Sequence, residues 1–235
     1  MCSSDLNKLI NLDHISFYTD GSLQQRHLPD NTISIIMGAG VIVAQDEGIS
    51  DDEAKQLSVS AYLSRWPSST RAELAAIFLA LLASPENSEV VIHCDSQAAI
   101  NGIQDIILQD QRRSLTARTW LKQTNRRLKN YILTILHEKK IQLSLVKVKA
   151  HIGIRFNELA DEVAKEGAND LKLFFDLNLA NIDTFSTFSP YFDNNLIDVN
   201  YRKFFMSILK SFENEQWRSS KAACPLFCFS PNDVN

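Results

Sequence analysis

From residue 14 the chain alternates apolar and polar positions, His14-Ile-Ser-Phe-Tyr-Thr-Asp20, and then meets Asp20-Gly21-Ser22. That is the period of a half-buried strand followed by a turn signal. Ile33 to Ala44 is rich in β-branched residues and interrupted by Gly38 and Gly40, which predicts a second strand with a bend or bulge. Leu57 to Leu63 alternates again, and the three segments together predict an antiparallel meander. Thr70 to Ala83 is long and apolar and is closed by Ser84-Pro85, the mark of a buried helix. Glu89 to Cys94 is a short apolar run ending at Asp95, as in a central strand, and Ser96 opens a further helix. Trp120 to Lys139 predicts a longer helix with Leu121, Leu128, Ile132 and Ile135 on one side. Its other side carries Arg118, Lys122, Arg126 and Lys129. Ile141 to Ala150 reads as a last strand.

The stretch from Lys149 to Ala168 is a loop feeding a helix. Phe156, Leu159, Ala160, Val163, Ala164 and Gly167 recur at helical spacing and form its expected buried stripe. Asn157 stands where an N-cap belongs, with Glu158 in the first turn. Asn157 and Asp161, four apart, then share the opposite face. His151 lies in the loop, with Gly153 to let it turn. A meander followed by strand, helix, strand, helix, strand predicts an α/β domain whose mixed sheet is flanked by helices.

Composition changes this picture at the end of the chain. Ten of the thirteen phenylalanines lie beyond residue 170, and Tyr201, Phe204, Phe205, Ile208, Leu209 and Phe212 could stripe one more helix. This predicts a folded domain up to about residue 170 and a Phe-rich, partly helical extension over 170–235, and the family resemblance described below makes residues 12–169 the catalytic domain. The extension carries no catalytic spacing; it either packs back on the domain or meets a larger neighbour. Hydrophobic content of 45% and charged content of 22% are those of a globular protein. No apolar run approaches the roughly 20 residues of a membrane span. The N-terminal residues lack a signal-peptide layout, so an intracellular chain, cytoplasmic or nuclear, is expected. Four cysteines, irregularly placed, fit free thiols rather than a disulfide framework or a zinc site.

Net charge is −4, yet residues 111–130 hold seven basic side chains and no acidic one. A basic strip on an acidic body is an electrostatic footprint for nucleic acid, against the plainer reading of a solvated helix face. The acids carry the chemistry. Asp20 and Asp95 end two expected central strands, Glu73 lies in the first turns of the helix between them, and Asp161 opens the last helix. Each alone has a structural explanation, as a turn, a cap or a helix-dipole partner. Converging, they would repel unless something positive joined them, and clustered hard oxygen ligands suit Mg²⁺. Two such ions about 4 Å apart clamp the attacking and leaving oxygens of a phosphodiester displacement.

Tyr-Thr-Asp20-Gly-Ser, Thr-Arg-Ala-Glu73-Leu, Asp95-Ser-Gln and His151-x-Gly-x-x-x-Asn157-Glu-x-Ala-Asp161 occur in one order. This ordered set resembles the ribonuclease H family, type-1 branch, over roughly residues 12–169. The resemblance implies a five-stranded mixed sheet and two Mg²⁺ ions, with Mn²⁺ able to substitute, held by Asp20, Glu73, Asp95 and Asp161. It implies cleavage of the RNA strand of an RNA–DNA hybrid, leaving 3′-hydroxyl and 5′-phosphate ends. His151 would assist proton handling and product release, and Gln97 would contact the hybrid. Gly21, Ser22, Ser69, Thr70, Arg71 and Asn157 fall in the same motifs as further candidate contacts, joined by Arg118, Lys122 and Arg126 of the basic strip. Where relatives often carry paired asparagines before the first long helix, this chain has Ser68-Ser69-Thr70. The wording Arg-Trp-Pro-Ser-Ser-Thr-Arg-Ala-Glu-Leu and the Phe-rich tail look most like the ribonuclease H segment of a retrotransposon polyprotein. A reverse transcriptase or another polyprotein segment would then meet the extension. The alternatives are an inactive nucleic-acid-binding module and a DNA-processing nuclease of the same fold.

Overall fold

A computed structural model describes residues 12–44, 49–114, 116–120, 122–149, 154–177, 191–192 and 195–219. Its frame is a six-stranded mixed sheet in the order β5-β4-β1-β2-β3-β6. The strands are β1 (His14–His27), β2 (Ile33–Val43), β3 (Ser58–Leu63), β4 (Glu89–Cys94), β5 (Gln142–Lys147) and the two-residue β6 (Phe174–Phe175). β1, β2 and β3 form the expected antiparallel meander, β4 and β5 add in parallel beside β1, and β6 runs parallel to β3. Five strands are those expected; β6 is an edge contributed by residues just past 170. A separate two-stranded ribbon pairs β7 (Tyr191–Phe192) with β8 (Asn195–Leu196).

The helices are α1 (Asp51–Gln56), α2 (Ser69–Ala83), α3 (Gln97–Gln111), α4 (Ala117–Trp120), α5 (Arg126–Glu138), α6 (Arg155–Asn169) and α7 (Tyr201–Ser219). None among the described residues is long and apolar enough to cross a membrane. α2 is apolar nearly all round because it is buried nearly all round, packed on β1 and β2 with α3 and α5 alongside. α6 packs on β1, β2 and β3. The main core joins Phe17, Ala39 and Ile92 of the sheet to Leu74, Ile77 and Leu81 of α2 and Leu128 and Ile132 of α5.

Three expectations change. The strand does not stop at Asp20: β1 continues to His27, paired with β2 in unbroken register from Phe17–Val43 to His27–Ile33. Gly38 and Gly40 therefore mark no bulge. They are bare because α6 lies on them; a Cβ on Gly40 would come within 2.4 Å of the Ala160 carbonyl oxygen and one on Gly38 within 2.2 Å of that of Ala164. The long helix expected from Trp120 is two pieces, α4 and α5, because Asn125 adopts φ 55°, a left-handed conformation no helix continues through. The helix α1 follows from a capping box that the hydrophobic pattern hides: Ser50 Oγ accepts from Glu53 N, and Glu53 accepts from Ser50 N at 2.9 Å.

Candidate active site

β1 outruns its parallel neighbour. Its pairing with β4 ends at Thr19–Cys94, so Asp20 projects at the carboxyl end of β4, where chain leaves the sheet toward Asp95. Alternation along β1 sets Phe17 and Thr19 on the core face shared with α2 and turns Asp20 to the face covered by α6. Two glycines bring the other acids in. A Cβ on Gly21 would lie 2.3 Å from the Glu73 nitrogen, so only glycine lets the first turns of α2 descend onto β1. Asp20 pairs with Gly40, whose missing Cβ admits Ala160 and sets Asp161 beside Asp20.

Asp20, Glu73 and Asp95 each offer an oxygen, and these atoms lie within 4.8 Å of one another. Asp20 and Glu73 are buried and Asp95 is half-buried. Burial, then the charges of Asp95 and Asp161, push the Asp20 carboxyl up to about 7. Burial, then Asp20 and Asp95, push Glu73 up to about 9. The Cys94 thiol, itself raised to about 12 by burial and by Glu73, lies 3.8 Å from Glu73 Oε2 as a weak donor. Asp161 is a hydrogen-bond neighbour of Asp20, and Lys165, one turn along α6, forms an ion pair with its Oδ2. Hard oxygens gathered in a partly dry cluster fit a divalent cation.

The other expected contacts divide. Gln97, the first residue of α3, is exposed and donates from Nε2 to Asn101 Oδ1 at 2.7 Å. Ser69 is exposed. Thr70 lines a cleft of about 250 Å³ with Ser68, Ala98, Thr124, Asn125 and Lys129. Lys122 is exposed; only the backbone of Arg118, on α4, is described. His151 lies outside the described residues. Gly21 and Ser22 are strand residues: Gly21 serves the approach of α2, and buried Ser22 Oγ accepts from Gln24 Nε2 at 2.8 Å. Asn157 is not an N-cap on an open face, since Ile154 holds the cap position. It sits buried in the first turn of α6, its Oδ1 without a hydrogen-bond partner among the described residues.

Arg71 and Arg126 are corrected outright: both are buried. Arg71 Nη1 donates to Asp198 Oδ2 at 2.7 Å and to Asn125 Oδ1 at 3.3 Å. Arg126 donates to the Ile197 carbonyl at 3.3 Å and stacks over Tyr201, 4.3 Å from the ring centre. The basic strip is thus no continuous exposed face, because residues 197–201 of the extension cover part of it. Sequence reading missed Asp198; an acid inside Asn195-Leu-Ile-Asp198-Val was the available signal.

The RNase H family profile matches residues 13–169. Ribonuclease HI of Pasteurella multocida is 30% identical over 159 residues, 66% of this chain and 90% of that protein. Ribonuclease H of Actinobacillus succinogenes is 36% identical over 103 residues, 43% of this chain and 64% of that protein, so the match spans less than two thirds of that relative. Among solved structures, the foamy viral protease-reverse transcriptase in complex with dsDNA superposes with a TM-score of 0.50 at 22% identity, over 68% of this chain and 97% of that one. This last likeness concerns the fold.

Proposed function

Because the chain belongs to the RNase H family, we propose that it hydrolyses the RNA strand of RNA–DNA hybrids and leaves 3′-hydroxyl and 5′-phosphate ends. The observation that carries the proposal is the meeting of Asp20, Glu73 and Asp95, from three separate segments, within 4.8 Å. Asp20, Glu73, Asp95 and Asp161 would hold two divalent ions, Mg²⁺ or Mn²⁺, given their hard oxygens. Such ions supply the positive charge that stabilises a phosphodiester displacement and its nucleophile.

The chain's own residues do the rest. The unbroken register of β1 with β2 holds Asp20 still. Burial of Asp20 and Glu73 keeps bulk water from screening the cluster. Lys165 pairs with Asp161 Oδ2 from one turn along α6, a contact that a bound ion would replace. Ser69, Thr70 and Gln97 stand at the N-termini of α2 and α3, where hydroxyls and an amide can read ribose 2′-hydroxyls. Lys122 remains a candidate phosphate contact, as does Arg118. Arg71 and Arg126 leave that role. His151 keeps the part that the family resemblance implies, as an aid to proton handling.

The association with a reverse transcriptase or other polyprotein segment is supported by one feature of the extension: Phe205, Met206, Leu209 and Phe212 are exposed along α7. The test of the main proposal is direct. Labelled hybrid, duplex RNA and duplex DNA are incubated with the chain and Mg²⁺ beside an Asp95→Asn control. Cleavage of the hybrid RNA strand by the wild type alone is expected. Cleavage of duplex DNA alone would move the reading to a DNA-processing nuclease, and binding without cleavage to a nucleic-acid-binding module.

A further inference from the structure

The family match ends at residue 169, yet a carboxylate from well beyond it reaches the first turn of the helix that carries Glu73. Asp198 and Arg71 are each 2% exposed, and the Nη1–Oδ2 distance is 2.7 Å. The same aspartate also holds α5. Its Oδ1 accepts from Arg127 N at 3.1 Å and its backbone oxygen accepts from Asn125 N at 3.1 Å. α5 has no cap of its own, since the Asn125 side chain makes no capping bond, so Asp198 does the work of an N-cap from 71 residues away. The bond from Asn200 Nδ2 to the Lys122 carbonyl, 2.9 Å, and the burial of Ile197 seat the segment on either side.

Arg71 and Glu73 are two residues apart, so they leave α2 roughly 200° apart around its axis. One side of the helix end is tied to Asp198; the other presents a carboxylate to Asp20 and Asp95. Any rotation or lift of this turn therefore moves the Glu73 oxygens relative to their partners. We propose that Asp198 is a positioning residue for the acidic cluster, fixing the first turn of α2 through Arg71 so that Glu73 meets Asp20 and Asp95. The extension then belongs to the catalytic unit. The inference rests on the reading of Glu73 as a metal ligand.

The test uses the full chain and Mn²⁺ as the probe, with binding measured by calorimetry below the melting temperature of each variant. Asp198→Asn retains the volume and an acceptor for Arg127 N but loses the charge facing Arg71. Folded Asp198→Asn is expected to bind Mn²⁺ about tenfold more weakly, as when a group supporting a metal ligand is lost. The metal concentration for half-maximal hybrid cleavage should rise by the same factor. A folded variant with wild-type Mn²⁺ affinity would make Asp198 a structural residue only and overturn the proposal. If Asp198→Asn does not fold, Arg71→Lys is measured in its place, because it retains the charge and loses the rigid fork. Its expected and overturning results are the same. Wild-type protein that binds no Mn²⁺ would instead sink the metal reading of the cluster, which separates the two failures.

Discussion

The first turns of α2 join two buried charged clusters that are built in opposite ways. On one side, Asp20, Glu73 and Asp95 bring carboxyl oxygens within 4.8 Å of one another, and burial with mutual repulsion pushes two of the three far above the ordinary carboxylate range. On the other, Arg71 meets Asp198 at 2.7 Å with both nearly sealed from water. A fold that can neutralise a buried guanidinium so closely could have done the same for its acids. It instead crowds them together where the chain leaves the carboxyl end of β4. Paired burial reads as architecture, and acids crowded until their pKa values rise read as a candidate site.

The largest expected effect breaks the acidic side. Asp20→Asn or Glu73→Gln removes a ligand charge at constant shape and should cost several kcal/mol of transition-state stabilisation, a loss of roughly 10³-fold or more in rate. The same change relieves repulsion, so the metal-free protein should melt higher than wild type. Hybrid cleavage is assayed beside melts in EDTA; near wild-type rates in either variant would end the contrast between the clusters.

The compensated side should respond in stability first. Arg71→Met strands Asp198 and is expected to destabilise the fold by about 3–5 kcal/mol, as removal of one partner of a buried pair does. Arg71→Met with Asp198→Asn removes both charges, keeps the acceptor for Arg127 N and should recover much of that loss. Denaturant melts of the two singles and the double read the coupling, and additive losses would show that the pair does not interact.

Protons sharpen the comparison next. The folded-state values of Asp20 and Glu73 are raised, so the metal-free native state binds more protons than the unfolded chain. Their contribution is present below the ordinary carboxylate range and is lost as pH rises toward about 7 for Asp20 and about 9 for Glu73. Metal-free protein should therefore melt lower at pH 9 than at pH 5, and the shift produced by Mg²⁺ should grow over the same interval. A flat profile in EDTA would mean that the acids are already compensated.

The smallest effect concerns Lys165, whose pairing with Asp161 is half exposed. Lys165→Met should cost the metal-free protein less than about 1 kcal/mol. It also frees Asp161, so Mg²⁺ binding measured by calorimetry should tighten slightly; a weakened affinity would assign Lys165 a supporting role at the site.

Much of this was legible in the chain. The alternation from His14, the apolar run from Glu89 and the all-apolar helix around Leu74 declare themselves, because burial of a strand face or a whole helix forces a period on the sequence. The four acids were legible as an ordered set. What a one-dimensional pattern cannot show is the partner. Gly21, Gly38 and Gly40 look like punctuation, and only the packing of α2 and α6 shows that each is small because another backbone needs its space. Arg71 looks like a free contact beside Glu73, and Arg126 like part of an exposed basic strip, until residues 197–201 cover them. Asn125 looks helical until its backbone N–H is bonded by Asp198. Periodicity records whether a position is buried on its own element. Which distant element buries it, and with what charge, is decided by contacts between segments tens of residues apart, and those exist only in the folded chain.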